Sequence, residues 1–149
     1  CPGSAPRDFS RPAADPVDRD GLQSQLTQWP VQLHLISPMN PVFQGADLLL
    51  AADCCAFSLP DFNQRWLPGK KLAIACPKLD RDQEIYMDKL VALIAEAQIN
   101  TLTVMIMEVP CCGGLLRMAQ AAVERAGRKV PIKVIVVGVQ GDVKQEAWV

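Results

Sequence analysis

The sequence predicts an α/β domain: three layers around a mainly parallel, five-stranded sheet. Three observations carry this. From Trp29 onward, short apolar runs of strand length alternate with segments of helical spacing. Several of the runs are apolar at nearly every position, as strands covered on both faces are. The length of 149 residues, 50% of them hydrophobic and 21% charged, suits one core.

Taken in order, residues 1–27 read as a linker or tail and residues 28–149 as the domain. From Cys1 to about Asp20 the chain is Pro, Ala, Ser, Asp and Arg without hydrophobic periodicity. The strand-like runs are 31–36, 47–52, 71–75, 101–109 and 132–139. Between the second and third, Ser58-Leu59-Pro60 opens a short helix to about Trp66, closed by Pro68-Gly69. Between the third and fourth, residues 83–98 set Tyr86, Leu90, Leu93 and Ala97 on one stripe, and Asp80 with Gln83 forms a capping box at its start. After the fourth, residues 114–126 carry Leu115, Met118, Ala122 and Val123 at helical spacing, ended by Gly127 before Pro131. This alternation implies right-handed crossovers and a sheet that is Rossmann-like in architecture. It lacks the G-x-G-x-x-G and G-x-x-x-x-G-K-[ST] fingerprints of nucleotide binding.

Charge and hydropathy narrow the function. Fifteen Lys+Arg against 16 Asp+Glu, with no block of like charge, leave no footprint for a nucleic-acid backbone. No apolar run approaches the ~20 residues that cross a bilayer, so a soluble protein without membrane partners is expected. The initial Cys1 fits either a fragment of a longer chain or a lipidated mature protein. A cytoplasmic fragment is the expected case, because the adjacent pairs Cys54-Cys55 and Cys111-Cys112 are poor candidates for ordinary disulfides.

The positions of the six cysteines give the main functional inference. Cys54 and Cys55 follow the second run, Cys76 the third, and Cys111 and Cys112 the fourth, each just before a helix. Parallel strands point their carboxyl ends the same way, so these loops share one edge, where such folds build their sites. Partial positive charge at helix starts is expected to favour thiolate, and clustered thiolates suit a soft metal. A single buried cysteine is ordinarily an inert small hydrophobe, but none of these lies inside a predicted strand or helix. Cys55, beside Cys54 and next to Ala56 and Phe57, is the expected bystander. Structural zinc usually takes ligands in close C-x-x-C pairs, which are absent. Four-Cys ligation of an iron–sulfur cluster accepts ligands from separate loops. Pro77 and Pro110 stiffen two of those loops, and Gly113-Gly114 leaves backbone amides accessible.

The stretches Cys1-Pro2-Gly3-Ser4, Leu26-Thr27-Gln28-Trp29-Pro30-Val31-Gln32-Leu33, Ala46-Asp47-Leu48-Leu49-Leu50-Ala51-Ala52-Asp53-Cys54, Ala75-Cys76-Pro77-Lys78-Leu79-Asp80 and Met107-Glu108-Val109-Pro110-Cys111-Cys112-Gly113-Gly114-Leu115 are specific. They resemble the carboxy-terminal domain of ferredoxin-like (4Fe–4S) iron–sulfur proteins of anaerobic bacteria and archaea, over essentially the whole chain. That family generally begins with a two-cluster module of C-x-x-C-x-x-C-x-x-x-C-P runs, joined by a linker; here that module is missing. The resemblance also marks Cys55 as the weaker ligand candidate. A partial similarity links Cys76 and Cys111-Cys112-Gly113 to the CCG cysteine-rich domains of heterodisulfide reductases, without their later C-x-x-C.

The expected function is therefore an iron–sulfur redox domain. Cys54, Cys76, Cys111 and Cys112 would bind a [4Fe–4S] cluster, with Cys1 as a fifth thiol supplied by the tail. The partner would be a ferredoxin-type electron donor or acceptor, in the same parent chain or separate. Three ligands instead of four would leave an iron open to substrate and make the domain a reductase. Two other classes compete: a zinc-binding or metal-free interaction domain, and a thiol–disulfide oxidoreductase, weakened by the lack of C-x-x-C. Among other residues, His34 is expected to be a half-buried, satisfied side chain, Asp53 a turn cap or a proton acceptor, and Lys78 a surface lysine or a counter-charge. Met105 and Met107 are expected in the core, Trp29 packing the linker down, and Glu108 supporting the site from outside the ligand set.

Overall fold

The computed structural model describes residues 20–149. Its strands are β1 (Asp47–Ala52), β2 (Lys70–Ala75), β3 (Thr101–Met107), β4 (Ile132–Val137) and β5 (Val143–Trp148). They form one sheet in the order β2-β1-β3-β4-β5, in which only β5 runs antiparallel to its neighbour. The helices are α1 (Cys55–Ser58), α2 (Gln83–Ala95) and α3 (Gly113–Ala126). No helix among the described residues is long and apolar enough to cross a membrane.

The central strands explain the apolar runs. β1 and β3 are buried at every position after their first, because each has a strand on both sides and cover on both faces. Helix α2 contributes the fully buried Tyr86, Leu90, Leu93 and Ile94, and α3 contributes Leu115, Ala119 and Ala122. Burying one such leucine is worth about 1.5–3 kcal/mol, so these few side chains fix the layer. Gly127 ends α3 at φ 65°, a left-handed conformation that glycine adopts without steric cost.

The sheet is the expected one with one strand exchanged. Residues 31–36 do not form a strand. Val31 and Leu33 exchange backbone hydrogen bonds with Ile74 on the free edge of β2, and the chain then turns, with Leu35 and Ile36 both donating to the Gln32 carbonyl. The fifth strand is instead β5, whose residues are mostly exposed. An edge strand with a solvated face carries no apolar signature, which is why the sequence pattern missed it. Of the helix expected from Ser58 to about Trp66 only a π-helical turn, Phe62–Trp66, forms, and α1 ends at Ser58, where that helix was expected to begin. Pro60 is the cause, since it pushes Leu59 into extended backbone.

The tail also differs in detail. Cys1 and the rest of residues 1–19 lie outside the described residues. Docking begins at Gln25, whose N–H donates to Asn63 Oδ1 at 2.7 Å. Gln28 then clamps β2, bonding both the carbonyl and the N–H of Leu72. Trp29, expected to pack this segment down, is 76% exposed; the neighbouring amide side chain does that work through backbone hydrogen bonds.

Candidate functional site

Register places the thiols before any side chain is considered. Ala52 at the end of β1 is level with Ala75 at the end of β2, and Ala51 is level with Met105 on β3. Cys76 directly follows Ala75, Cys54 follows Ala52 by two residues, and Cys111-Cys112 occupy the 3-10 turn after β3. These are the loops after the first, second and third strands. The expected numbering, second to fourth, shifts because residues 31–36 are not a strand. The strand order also reverses direction between β1 and β3, the position where open α/β sheets form a crevice beyond their carboxyl ends.

Electrostatics ties the same thiols together. Burial pushes the Cys54 thiol up, and neighbouring charge at Cys76, Asp53 and Cys111 pushes it further. Burial first, and then Cys111 and Cys54, raise Cys112 to about 11, against a lowering backbone bond at Met107. Cys111 and Cys112 are also hydrogen-bonded through their side chains. Thiolate was expected from helix-end fields. Burial and neighbouring charge outweigh those fields at Cys54 and Cys112, and both thiols are raised. Cys76 departs from the expectation in another way: it does not precede a helix directly, since α2 starts only at Gln83.

Cys55 differs in its packing. It is fully buried, its thiol reaches the Met105 carbonyl at 3.5 Å, and burial, followed by the neighbouring Cys112, raises it to about 12. It packs as core, as the sequence suggested.

The Cys76 loop is held by a polar network that sequence reasoning did not find. Asp80 Oδ2 accepts the Cys76 N–H at 2.7 Å, the Gln32 amide at 3.3 Å and the Tyr86 hydroxyl. Gln32 also donates to the Tyr86 oxygen at 2.7 Å. Tyr86 is fully buried, and burial, followed by its bond to Asp80, raises its pKa and keeps it a donor. The expected capping box does not form, because the Asp80 carboxylate is spent on this loop. Gln83 bonds the Pro77 carbonyl at 2.7 Å instead, and the cap position is Asp82, without a side-chain bond. His34 is half-buried and satisfied, its Nε2 2.8 Å from the Arg81 carbonyl and its ring 4.2 Å from that of Tyr86.

The second and third thiol loops touch. A Cβ on Gly114 would lie 3.3 Å from Pro77 Cβ, so the start of α3 and the Cys76-Pro77 loop approach closely only because residue 114 has no side chain. Gly114→Val should therefore separate the loops and reduce metal loading severalfold with the far-UV spectrum unchanged. Gly113→Ala, whose Cβ meets only the flexible Arg117 tip at 3.4 Å, should leave loading intact. That same contact locates Arg117, a cation over the first turn of α3 that the sequence reading passed over. A positive charge over a helix start is unfavourable by itself; its place four residues after Gly113, within reach of that start, was the available signal.

Other candidates fall as follows. Asp53 is half-buried, its Oδ1 has no hydrogen-bond partner, and burial and then Asp80 raise its pKa. It does not cap α1. Lys78 is exposed. Met105 and Met107 are in the core. Glu108 Oε1 accepts the Val139 N–H at 3.1 Å and so fixes the β4–β5 connection. Among the described residues, no three His, Cys, Asp or Glu side chains are grouped to hold a single metal ion.

Fold and edge together define a three-layer α/β domain whose thiol-bearing loops lie at the carboxyl edge of the sheet, at its switch point. The chain belongs to the Rossmann-like domain family, whose model matches residues 40–149. It is 31% identical over 120 residues to an uncharacterized protein of the archaeon Archaeoglobus fulgidus, covering 80% of this chain and 84% of that protein. No solved structure matches the chain.

Proposed function

We propose that this domain binds an iron–sulfur cluster of the [4Fe–4S] type through Cys54, Cys76, Cys111 and Cys112 and exchanges electrons with a ferredoxin-type partner. One observation carries the reading: thiols from three separate crossovers are electrostatic neighbours at one sheet edge. The donor set fits the group. It consists of cysteine sulfur, delivered singly and as a pair, which is how separate loops can ligate a cluster. The resemblance to ferredoxin-like iron–sulfur proteins and to CCG domains supports the same set.

When bound, the cluster would supply one-electron transfer at a potential set by its surroundings. The chain's own residues do the rest. Asp80 fixes the Cys76 backbone, Gly114 lets the two loops close, and Arg117 offers positive charge beside a thiolate-rich centre. Asp53, with its orphaned Oδ1 and raised pKa, is inclined to hold a proton there. Phe57 and Leu79, 92% and 79% exposed and each three residues beyond a ligand candidate, supply apolar surface for the partner to cover.

Anaerobic reconstitution of the full chain tests this. The expected product is brown, absorbs broadly near ~400 nm, bleaches reversibly with dithionite and holds about four iron and four sulfide. A colourless product with one zinc, or thiols that merely cycle with a disulfide, would replace the reading. In the reconstituted protein, Arg117→Gln should move the potential to more negative values by some tens of millivolts, since a partly exposed charge contributes about 1 kcal/mol. Protein-film voltammetry would measure it.

A further inference from the structure

A second site lies away from the thiols. On one face of the sheet, Arg65 and Trp66 of the π-helical turn overhang β2, β3 and β4, enclosing a cleft of about 250 Å³ lined also by Lys70, Thr103, Lys133, Ile135 and Glu146. Thr103 and Lys133 are register partners, as are Ile135 and Glu146, so these side chains share a face. Lys70 opens β2 while Cys76 follows its end; at about 3.3 Å per residue the cleft mouth is on the order of 16–20 Å from the thiols.

The lining is rich in donors. It holds three cations and one carboxylate, and that carboxylate is paired with Lys133. Arg65 stacks on Trp66 at 4.8 Å and meets Asp61 only at 3.5 Å. Thr103 is the one polar residue in the buried set among the described residues, at 4% exposure, on a strand that is apolar after it. Trp66 is 7% exposed, and its indole Nε1 is buried with no hydrogen-bond partner. A wall of three cations against one carboxylate that is already paired lacks negative oxygen.

We infer that this cleft binds a small dianion, an organic phosphate or a dicarboxylate, held by Lys70, Lys133 and Arg65, with the Thr103 hydroxyl as a neutral donor and the Trp66 ring as a wall. The volume is below the usual range for drug-sized ligands, which limits the occupant to a compact molecule. Ile135 gives its carbon skeleton an apolar wall. The inference is independent of the cluster, since it uses none of the same residues.

Titration of the full-length, metal-free chain with inorganic phosphate and, separately, succinate tests it, with calorimetry and the ¹⁵N indole resonances as readouts. Trp66 is assigned by its loss in Trp66→Phe. Saturable binding of either probe with a Kd below about 1 mM, moving the Trp66 indole signal, is expected; which probe binds tells phosphate from carboxylate. Lys70→Gln should weaken it about tenfold, the loss of one charge-assisted hydrogen bond. Glu146→Gln should tighten it, because the sole lining carboxylate is removed; a merely structural role would not produce that gain. An unmoved indole signal, an equal movement with chloride at matched ionic strength, or affinity indifferent to both substitutions would overturn the inference.

Discussion

Alanine at Cys54, Cys76, Cys111 or Cys112 should reduce iron and sulfide in the reconstituted protein to background, while Cys55→Ala keeps full loading. The contrast is sharp because Cys54 and Cys55 are adjacent in sequence and opposite in environment. Cys54 is exposed at the sheet edge, with Cys76 and Cys111 as charged neighbours; Cys55 is fully buried in the core and bonded to the Met105 carbonyl. Removing a thiolate ligand takes away a bond no neighbouring group replaces, whereas removing the Cys55 sulfur leaves a small cavity worth about 1 kcal/mol of stability. Iron and sulfide assays beside thermal melts of the five variants separate the two effects. Full loading in Cys76→Ala, or loss of loading in Cys55→Ala with the fold intact, would reassign the ligands.

Asp80→Ala should be the most damaging change outside the ligand set. It leaves the Cys76 N–H and the Tyr86 hydroxyl without their acceptor. Buried donors left unpaired cost about 1–3 kcal/mol each. Tyr86 retains Gln32 as a neighbour, which offsets part of the loss. The expected destabilisation is about 3 kcal/mol, or roughly 10 °C in Tm for a domain of this size. The Cys76 loop would lose its brace as well, so the cluster should be released faster to a chelator. Tyr86→Phe removes a donor without orphaning Cys76, so it should lower Tm less and leave the chelation rate near that of the unaltered protein. Equal chelation rates in Asp80→Ala and Tyr86→Phe would show that the network does not serve the thiol loop.

The parts legible in the sequence were those written in apolar periodicity. β1 and β3 are apolar because both faces are covered, and α3 ends where Gly127 takes a left-handed conformation. That the loops of Cys54, Cys76 and Cys111-Cys112 share one sheet edge followed from parallel strands alone, and the burial of Cys55 from its apolar neighbours. What the pattern could not carry was polar. Asp80 reads locally as a helix cap because Gln83 stands three residues on. Its actual partners, Gln32 and Tyr86, come from 48 residues before and 6 after. Residues 31–36 have the composition of a strand but are turned by bonds to the Gln32 carbonyl. β5 has the opposite history: an exposed edge needs pairing, not hydrophobicity, so Val143–Trp148 gave no signal. The thiolate expected from helix ends failed at Cys54 because burial, and after it the charge of Cys76, Asp53 and Cys111, raises that thiol.

The central claim is that these thiols serve one multi-iron centre. Mössbauer spectroscopy of the ⁵⁷Fe-reconstituted full chain measures this directly. Delocalised mixed-valence iron, in about four atoms per chain and lost together in Cys76→Ala, is the predicted result; spectra of isolated iron sites, or iron that remains when Cys76 is replaced, would contradict it.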